Sequence, residues 1–240
     1  MYIAYMIMEY FKKNFKYFGA LWALIVIVLF ASCNGIDNYD EPDGAVYGAL
    51  TDEITNENFQ SEQPNGFNIK LFEKGSEMNS PITFWGKPDG TFKNAWIFQN
   101  EYQVVPTEGA FFPVDTVVVQ VREETEVNFT VTPFLAVTNV SIQPSAGKVT
   151  ASYEIARSRA ADKIIERKTL VSEIPTVNNV VYNFKAETDL SGTSDEDILS
   201  TGFTDEVEVP AGIYYVRVAV ATDNALKRYN YSKVFEVEVP

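Results

Sequence analysis

The stretch AVYGALTD, residues 45–52, alternates Val46, Gly48 and Leu50 with Ala45, Tyr47 and Ala49. A strand sends successive side chains to opposite faces, so a period of two places one row against a core and the other toward solvent. Working outward, the period recurs at Ile69 and Leu71. It recurs again at Val117, Val119 and Val121 against Val118 and Gln120, and at Val127, Phe129 and Val131 against Asn128 and Thr130. Turn signals separate these runs: Lys87-Pro88-Asp89-Gly90, where proline presets φ and glycine accepts the left-handed position, then Gln99-Asn100 and Thr107-Glu108-Gly109. Short strands at turn spacing predict a small β-sandwich over residues 43–135.

Pro133 and Phe134 then predict a stiff junction, because proline cannot continue a ladder and the next strand starts almost at once. Residues 136–240 read VTNVSI, VTASYEIA, IIERKTLVS and VVYNFKAE, and after a polar loop DEVEVP, IYYVRVAVA and KVFEVEV. In IYYVRVAVA, Tyr214, Val216, Val218 and Val220 share one face and Tyr215, Arg217 and Ala219 the other, so the face without Arg217 is expected to be the core. The fold class expected is all-β, with two β-sandwich domains. Hydrophobic residues make up 46% of the chain and aromatics 14%, enough for two cores without disulfides.

Residues 1–32 read as an export segment. Lys12, Lys13 and Lys16 flank Gly19 to Ala31, an apolar run shorter than the ~20 residues needed to cross a hydrocarbon layer. Phe30, Ala31 and Ser32 precede Cys33, the only cysteine in the chain. This resembles the lipobox of bacterial lipoproteins, although Phe30 stands where that motif prefers leucine. The resemblance implies a thioether-linked lipid on Cys33 and a membrane partner through that anchor. Each buried methylene contributes about 0.8 kcal/mol, so two or three acyl chains tether a protein almost permanently. An ordinary signal peptide followed by a free thiol is the alternative. Residues 33–42, with Asp37, Asp40 and Glu41, lack apolar groups to bury and read as a solvated acidic tether. Acids just behind such a cysteine also resemble the export signal of Bacteroidetes surface lipoproteins, which implies the outer membrane, facing the cell exterior.

A second resemblance rests on AVYGALTD (45–52), FNIKLFE (67–73), PDGTF (88–92) and NEYQVVP (100–106). This set resembles the transthyretin-like, carboxypeptidase-regulatory-like sandwich, in which a first strand ends in a turn aspartate and a DGxF hairpin precedes a GxYxV strand. Here Asn100 and Glu101 stand in place of the usual glycine before Tyr102. The NYDEPDGAVYG entry, the DGTFKNAWIFQNEYQVVPTEGAFFPVDT middle and the VNFTVTPFLAV exit are similar to domain-of-unknown-function family 3823 of Bacteroidetes lipoproteins. That resemblance implies an association with outer-membrane nutrient-import complexes of the starch-utilisation type. The segment YYVRVAVATDN followed by YNYSKVFEVEV resembles the last hairpin of immunoglobulin and fibronectin type III modules. Asp115-Thr116-Val117 resembles the O-glycosylation acceptor of the same phylum.

Charge and composition narrow the chemistry. Removing residues 1–32 takes three lysines and one glutamate from a net charge of −14, leaving −16 on 208 residues, which argues against nucleic acid as a partner. The chain has no histidine, so Ser-His-Asp and Cys-His arrangements and most zinc sites are excluded. No phosphate-cradling loop is present, and no cofactor is expected. Asp189 to Asp197 offers oxygen ligands without the spacing of a calcium hand, and reads as a solvated loop rather than an ion site. Paired carboxylates remain, since a glycoside hydrolase needs only two of them facing a cleft. However, Glu123 to Glu126 and Asp195 to Asp197 sit in polar stretches that give no reason for desolvation. A non-catalytic protein is therefore expected.

Binding is the more promising direction. A flat aromatic side chain offers its π-face to the C–H groups of a sugar ring, while amides and carboxylates take the hydroxyls. Residues 82–112 are densest in aromatics, with Phe84, Trp85, Trp96, Phe98, Tyr102, Phe111 and Phe112. Phe84 and Trp85 are neighbours, so in a strand one points away from the core. Trp96 and Phe98 share the face opposite Ile97. These aromatics either fill a thin sandwich and the joint between domains or present a ligand platform. For the platform the choice is Trp85, then Trp96, with Asn94, Gln99 and Asn100 as hydroxyl partners. The function expected is glycan capture, or support of a polysaccharide-import complex, at the cell surface. The alternative is a fimbrial subunit, which needs a clipped first strand; no Arg or Lys lies between Cys33 and Lys70 to be clipped.

Overall fold

The computed structural model describes residues 40–75, 80–160 and 162–240, together with Ile3, Met6, Met8 and Glu9. The expectations for the export segment and for Cys33 lie outside the described residues. Residues 42–240 form one compact unit.

The period-two runs are strands. The first sandwich contains β1 (Gly44–Asp52), β2 (Asn68–Glu73), β3 (Ile82–Trp85), β4 (Thr91–Ile97), β5 (Glu101–Thr107), β6 (Val117–Gln120), β7 (Thr125–Glu126) and β8 (Phe129–Val131). Strand β1 is central in one sheet, with β4 antiparallel on one edge and β7 and β8 successively parallel on the other. The facing sheet runs β3-β2-β5-β6, antiparallel throughout. Val46, Leu50, Ile69, Leu71, Phe92, Tyr102, Val104, Phe129 and Val131 fill the space between.

Between β7 and β8 the chain crosses tightly over β1. The Val127 N–H donates to Tyr47 O at 2.8 Å, and the Ala49 N–H to the Asn128 side chain at 2.9 Å. A Cβ on Gly48 would lie 1.8 Å from the Val127 carbonyl oxygen, so only glycine allows this approach. Asp52 ends β1 as a turn aspartate, its carboxylate accepting from the Ile54 N–H at 2.7 Å. At the Lys87–Gly90 turn, Gly90 takes φ 79°, the left-handed position expected of it.

The second half contains β9 (Ala136–Ser145), β10 (Lys148–Ala156), β11 (Ile164–Ser172), β12 (Phe184–Asp189), β13 (Gly202–Glu208), β14 (Gly212–Thr222), β15 (Tyr229–Tyr231) and β16 (Phe235–Val239). One sheet is β13-β10-β9; the other is β12-β11-β14, with β15 and β16 sharing the far edge of β14. Asp205 pins the two sheets together. Its carboxylate accepts from Tyr153 OH at 2.7 Å, from Thr169 Oγ1 at 2.8 Å and from the Arg167 guanidinium. Burial and then the Asp205 charge push the Tyr153 hydroxyl well above its usual range.

One expectation is incomplete and another needs correction. Tyr214, Val216, Val218 and Val220 are core as expected, but the opposite face of β14 is buried too: Arg217 is 2% exposed and Ala219 fully buried. Leu170 and Tyr231 flank that face from the neighbouring strands β11 and β15, and Val177, in the 173–183 connection between β11 and β12, packs with them. The 189–197 stretch is also more ordered than a solvated loop. Asp189 accepts from the Ser191 N–H at 2.8 Å, and α1 (Asp195–Ser200) follows. Ser194 caps it, accepting from the Asp197 N–H at 3.1 Å, while Asp195 pairs with Arg157 and Lys163.

The junction is pinned from the side. Phe111 and Pro133 form an antiparallel bridge, and the Phe134 N–H donates to Ala110 O at 3.0 Å. Asn230 of β15 closes the joint: its amide donates to Ala110 O at 2.8 Å and accepts from the Leu135 N–H at 3.1 Å. Arg228 donates to Glu108 O at 3.0 Å, and Ser158 donates to Glu53. Asn230 is only 3% exposed, so removing its amide strands the Leu135 N–H away from water and leaves Ala110 O with the Phe134 N–H alone. A stranded group costs about 1–3 kcal/mol. Asn230→Ala is therefore expected to lower stability by about 1–3 kcal/mol, read as a lower urea midpoint at unchanged slope. An unchanged midpoint would show that the joint does not depend on this side chain.

Candidate functional site

The site starts with the alternation in β3. Phe84 turns inward and packs near Phe92, with ring centroids 6.4 Å apart, and Trp85 turns outward, 43% exposed. Gly86 follows at a position where a Cβ would lie 1.9 Å from the Phe67 ring. Its N–H donates to Phe67 O at 2.9 Å, so the end of β3 is pressed onto the core and Trp85 is held at the rim. The 61–64 segment lines up beside it. Ser61 Oγ donates to Lys87 O at 3.2 Å and the Gln63 amide to Gly86 O at 3.0 Å.

Opposite stands the 173–183 connection, shaped by Asn178. Its side-chain oxygen accepts from the Val180 and Val181 N–H groups at 2.8 and 3.0 Å, while its amide donates to Thr176 O at 3.1 Å and across to Gln63 O at 3.3 Å. The two walls enclose a cleft of about 450 Å³ that includes Glu62, Gln63, Pro64 and Trp85 on one side and Pro175 to Asn178 on the other. Arg217 and Val234 belong to the same lining. This volume suits one or a few sugar rings, and an apolar wall with few polar groups is the usual composition of a small-molecule site.

Arg217 is the unusual member. Its Nε donates to Ser232 O at 2.8 Å and its Nη1 to Val177 O at 3.4 Å, while Nη2 has no partner. The guanidinium stacks on the Tyr231 ring, 4.3 Å from the centroid. Tyr231 OH in turn donates to the Glu62 carboxylate and accepts from the Asn179 N–H at 3.3 Å. Burial pulls the guanidinium down to about 10, which still leaves it charged at neutral pH.

Of the residues expected to form a site, only Trp85 lines this cleft. Trp96, on β4, is 70% exposed, but it is absent from the lining. Asn94 accepts from the Trp96 N–H at 2.9 Å, Gln99 donates to Asp43 at 2.8 Å, and Asn100 donates to Glu73 at 2.8 Å. Those three amides serve turns and ends of strands. The residues that sequence reasoning missed are Glu62, Gln63, Pro64, the 175–178 strap and Arg217. One signal was available, since an arginine flanked on both sides by valines within an apolar strand implies a special environment.

A carboxylate pair lies elsewhere, on β11 and β12. Lys168 bridges Glu166 at 3.0 Å and Glu187 at 3.4 Å, and Tyr229 OH donates to Glu166. The Lys185 ammonium, then Glu166 and Lys168, hold Glu187 down at about 2. A glycosidic proton donor needs the opposite, a raised carboxyl. Among the described residues no group of three potential metal ligands occurs. A carboxylate whose folded-state value lies below its unfolded one contributes stability that is complete above the unfolded value and lost as pH falls through the folded one. Glu187→Gln is thus expected to remove part of the stability loss between about pH 4.5 and pH 2 in acid titrations followed by circular dichroism. An identical acid limb would mean that the Lys185 and Lys168 contacts do not operate in solution.

Comparison with known proteins finds likeness to one family in part of the sequence and in the fold. The model for the N-terminal domain of a protein family of unknown function, DUF3823, matches residues 45–132. No curated protein matches the sequence. A DUF3823 protein of Bacteroides uniformis is 24% identical, with a TM-score of 0.71 over 83% of this chain and 100% of its own. A DUF3823 protein of Parabacteroides merdae is 23% identical, with a TM-score of 0.70 over 84% of this chain and 100% of its own. A second Bacteroides uniformis protein, provisionally described as carbohydrate binding, is 21% identical with a TM-score of 0.72 over 82% and 100% of the two chains. At these identities the likeness is one of fold. In sequence over residues 45–132, and in fold over most of its length, the chain matches the DUF3823 family.

Proposed function

We propose that the protein is a non-catalytic glycan-capture lipoprotein of the outer membrane, facing the cell exterior and serving a polysaccharide-import complex, with the Trp85 cleft as its binding site. The observation that carries this reading is Trp85 itself. A 43% exposed indole held at the rim of a 450 Å³ cleft, with a carboxylate and amides in the same lining, is the arrangement that sugar rings require. Exposing an indole is unfavourable for folding alone, and Gly86 and Phe67 spend backbone freedom to keep it there. A protein of the same fold with a provisional carbohydrate-binding description is consistent with this reading. The anchor and location rest on Cys33, its small-residue approach and the acids behind it.

Trp85→Ala is expected to abolish retardation of the protein in native gels containing the polysaccharide it captures, while Trp96→Ala leaves retardation within about twofold. Loss through Trp96 alone would move the site to β4. For the anchor, globomycin is expected to block processing of the precursor, and mass spectrometry of the mature protein to show acyl chains on Cys33. A bare thiol with normal processing would remove the lipoprotein assignment and leave the cleft untouched.

A further inference from the structure

Arg217 is the most completely buried large side chain of the cleft lining, yet among the described residues no carboxylate lies within ion-pair distance of it. Its nearest acid, Glu62, is engaged by the Tyr231 hydroxyl. A buried guanidinium without a contacting counter-ion is costly, and stacking on Tyr231 offsets only part of that cost. Its bonds to Ser232 O and Val177 O hold the guanidinium in place and leave part of its fork unused. On the same face Leu170, Val177, Ala219 and Tyr231 form an apolar cluster beside buried Ser172 and Lys168, and Lys168, unlike Arg217, has carboxylate partners in Glu166 and Glu187. What the arginine supplies is a planar fork of donors, one of them unpartnered and another held only by a 3.4 Å contact to Val177 O. Such an edge matches a carboxylate in two parallel hydrogen bonds. An incoming carboxylate competes there with one long bond to a carbonyl and shares the cleft with Glu62, whose carboxylate is engaged by the Tyr231 hydroxyl.

We propose that the ligand of the cleft is an acidic glycan, whose ring lies on Trp85 and whose carboxylate is met by Arg217. This rests on the glycan reading of the same cleft and narrows it to sugars of the uronic acid type. The chain's net charge of −14 works against non-specific adhesion to any polyanion, so retention by an acidic polymer reports a local site.

The test uses the intact mature protein in native gels containing polygalacturonate, alginate or hyaluronan. Each polymer is compared with the same polymer after its carboxyls have been reduced to alcohols, and neutral glucans and xylan are run in parallel. The expected result is retention by at least one acidic polymer, weakened at least tenfold by carboxyl reduction, by Trp85→Ala and by Arg217→Lys. If Arg217→Lys fails to fold, the comparison of native with reduced polymer on the unaltered protein decides alone. Equal retention by a polymer and its reduced form overturns the carboxylate assignment and leaves the glycan reading standing. So does Trp85-dependent retention by neutral polymers only. Retention by no polymer overturns both.

Discussion

The Arg217 guanidinium sits in a strand covered on both faces, and the way its donors are met organises much of the surrounding structure. Nε takes Ser232 O, just beyond β15, and Nη1 takes Val177 O, in the strap between β11 and β12. Tyr231 lies beneath the guanidinium and reaches Glu62 of the first sandwich. One buried cation therefore fixes the chain after β15, the strap and, through a tyrosine, the loop beside Trp85. A neutral side chain would fill the volume without imposing those directions, because only a charged planar fork demands acceptors at set angles.

The two halves act as one unit because their contacts are made by buried or half-buried polar groups rather than by a flexible linker. Asn230 and Arg228 hold the backbone around Ala110 and Glu108, Asn178 reaches Gln63, and Tyr231 reaches Glu62. All four contacts start from β15 and its approach or from the strap. A cleft built between parts held this way keeps its shape before a ligand arrives, which lowers the ordering cost of binding.

The alternation in residues 45–52, the Asp89-Gly90 turn, and the inward Phe84 beside an outward Trp85 were all legible in the sequence, because each depends on neighbours one or two residues away. The parallel run of β7 and β8 along β1 was not, since it depends on Gly48 meeting Val127 nearly 80 positions later. The face of β14 without Arg217 was legible as core, because a charge in a strand ordinarily marks the side away from it, but the burial of Arg217 was not. The return of the 173–183 strap, a long-range event, helps to bury that opposite face. The amides of Asn94, Gln99 and Asn100 looked available for a ligand in sequence, and in the fold each also holds a hydrogen bond within the first half of the protein. A polar residue near a turn has local uses that a linear reading undervalues.

The most direct measurement is a nuclear magnetic resonance titration of ¹⁵N-labelled protein with an oligomer of an acidic sugar, following the indole and guanidinium N–H signals. The expected result is that the Trp85 indole and the Arg217 Nε–H shift together along one saturation curve while the Trp96 indole stays in place. Movement of Trp96 alone, or saturation binding with both cleft signals unmoved, would contradict a ligand site at the meeting of the two sandwiches.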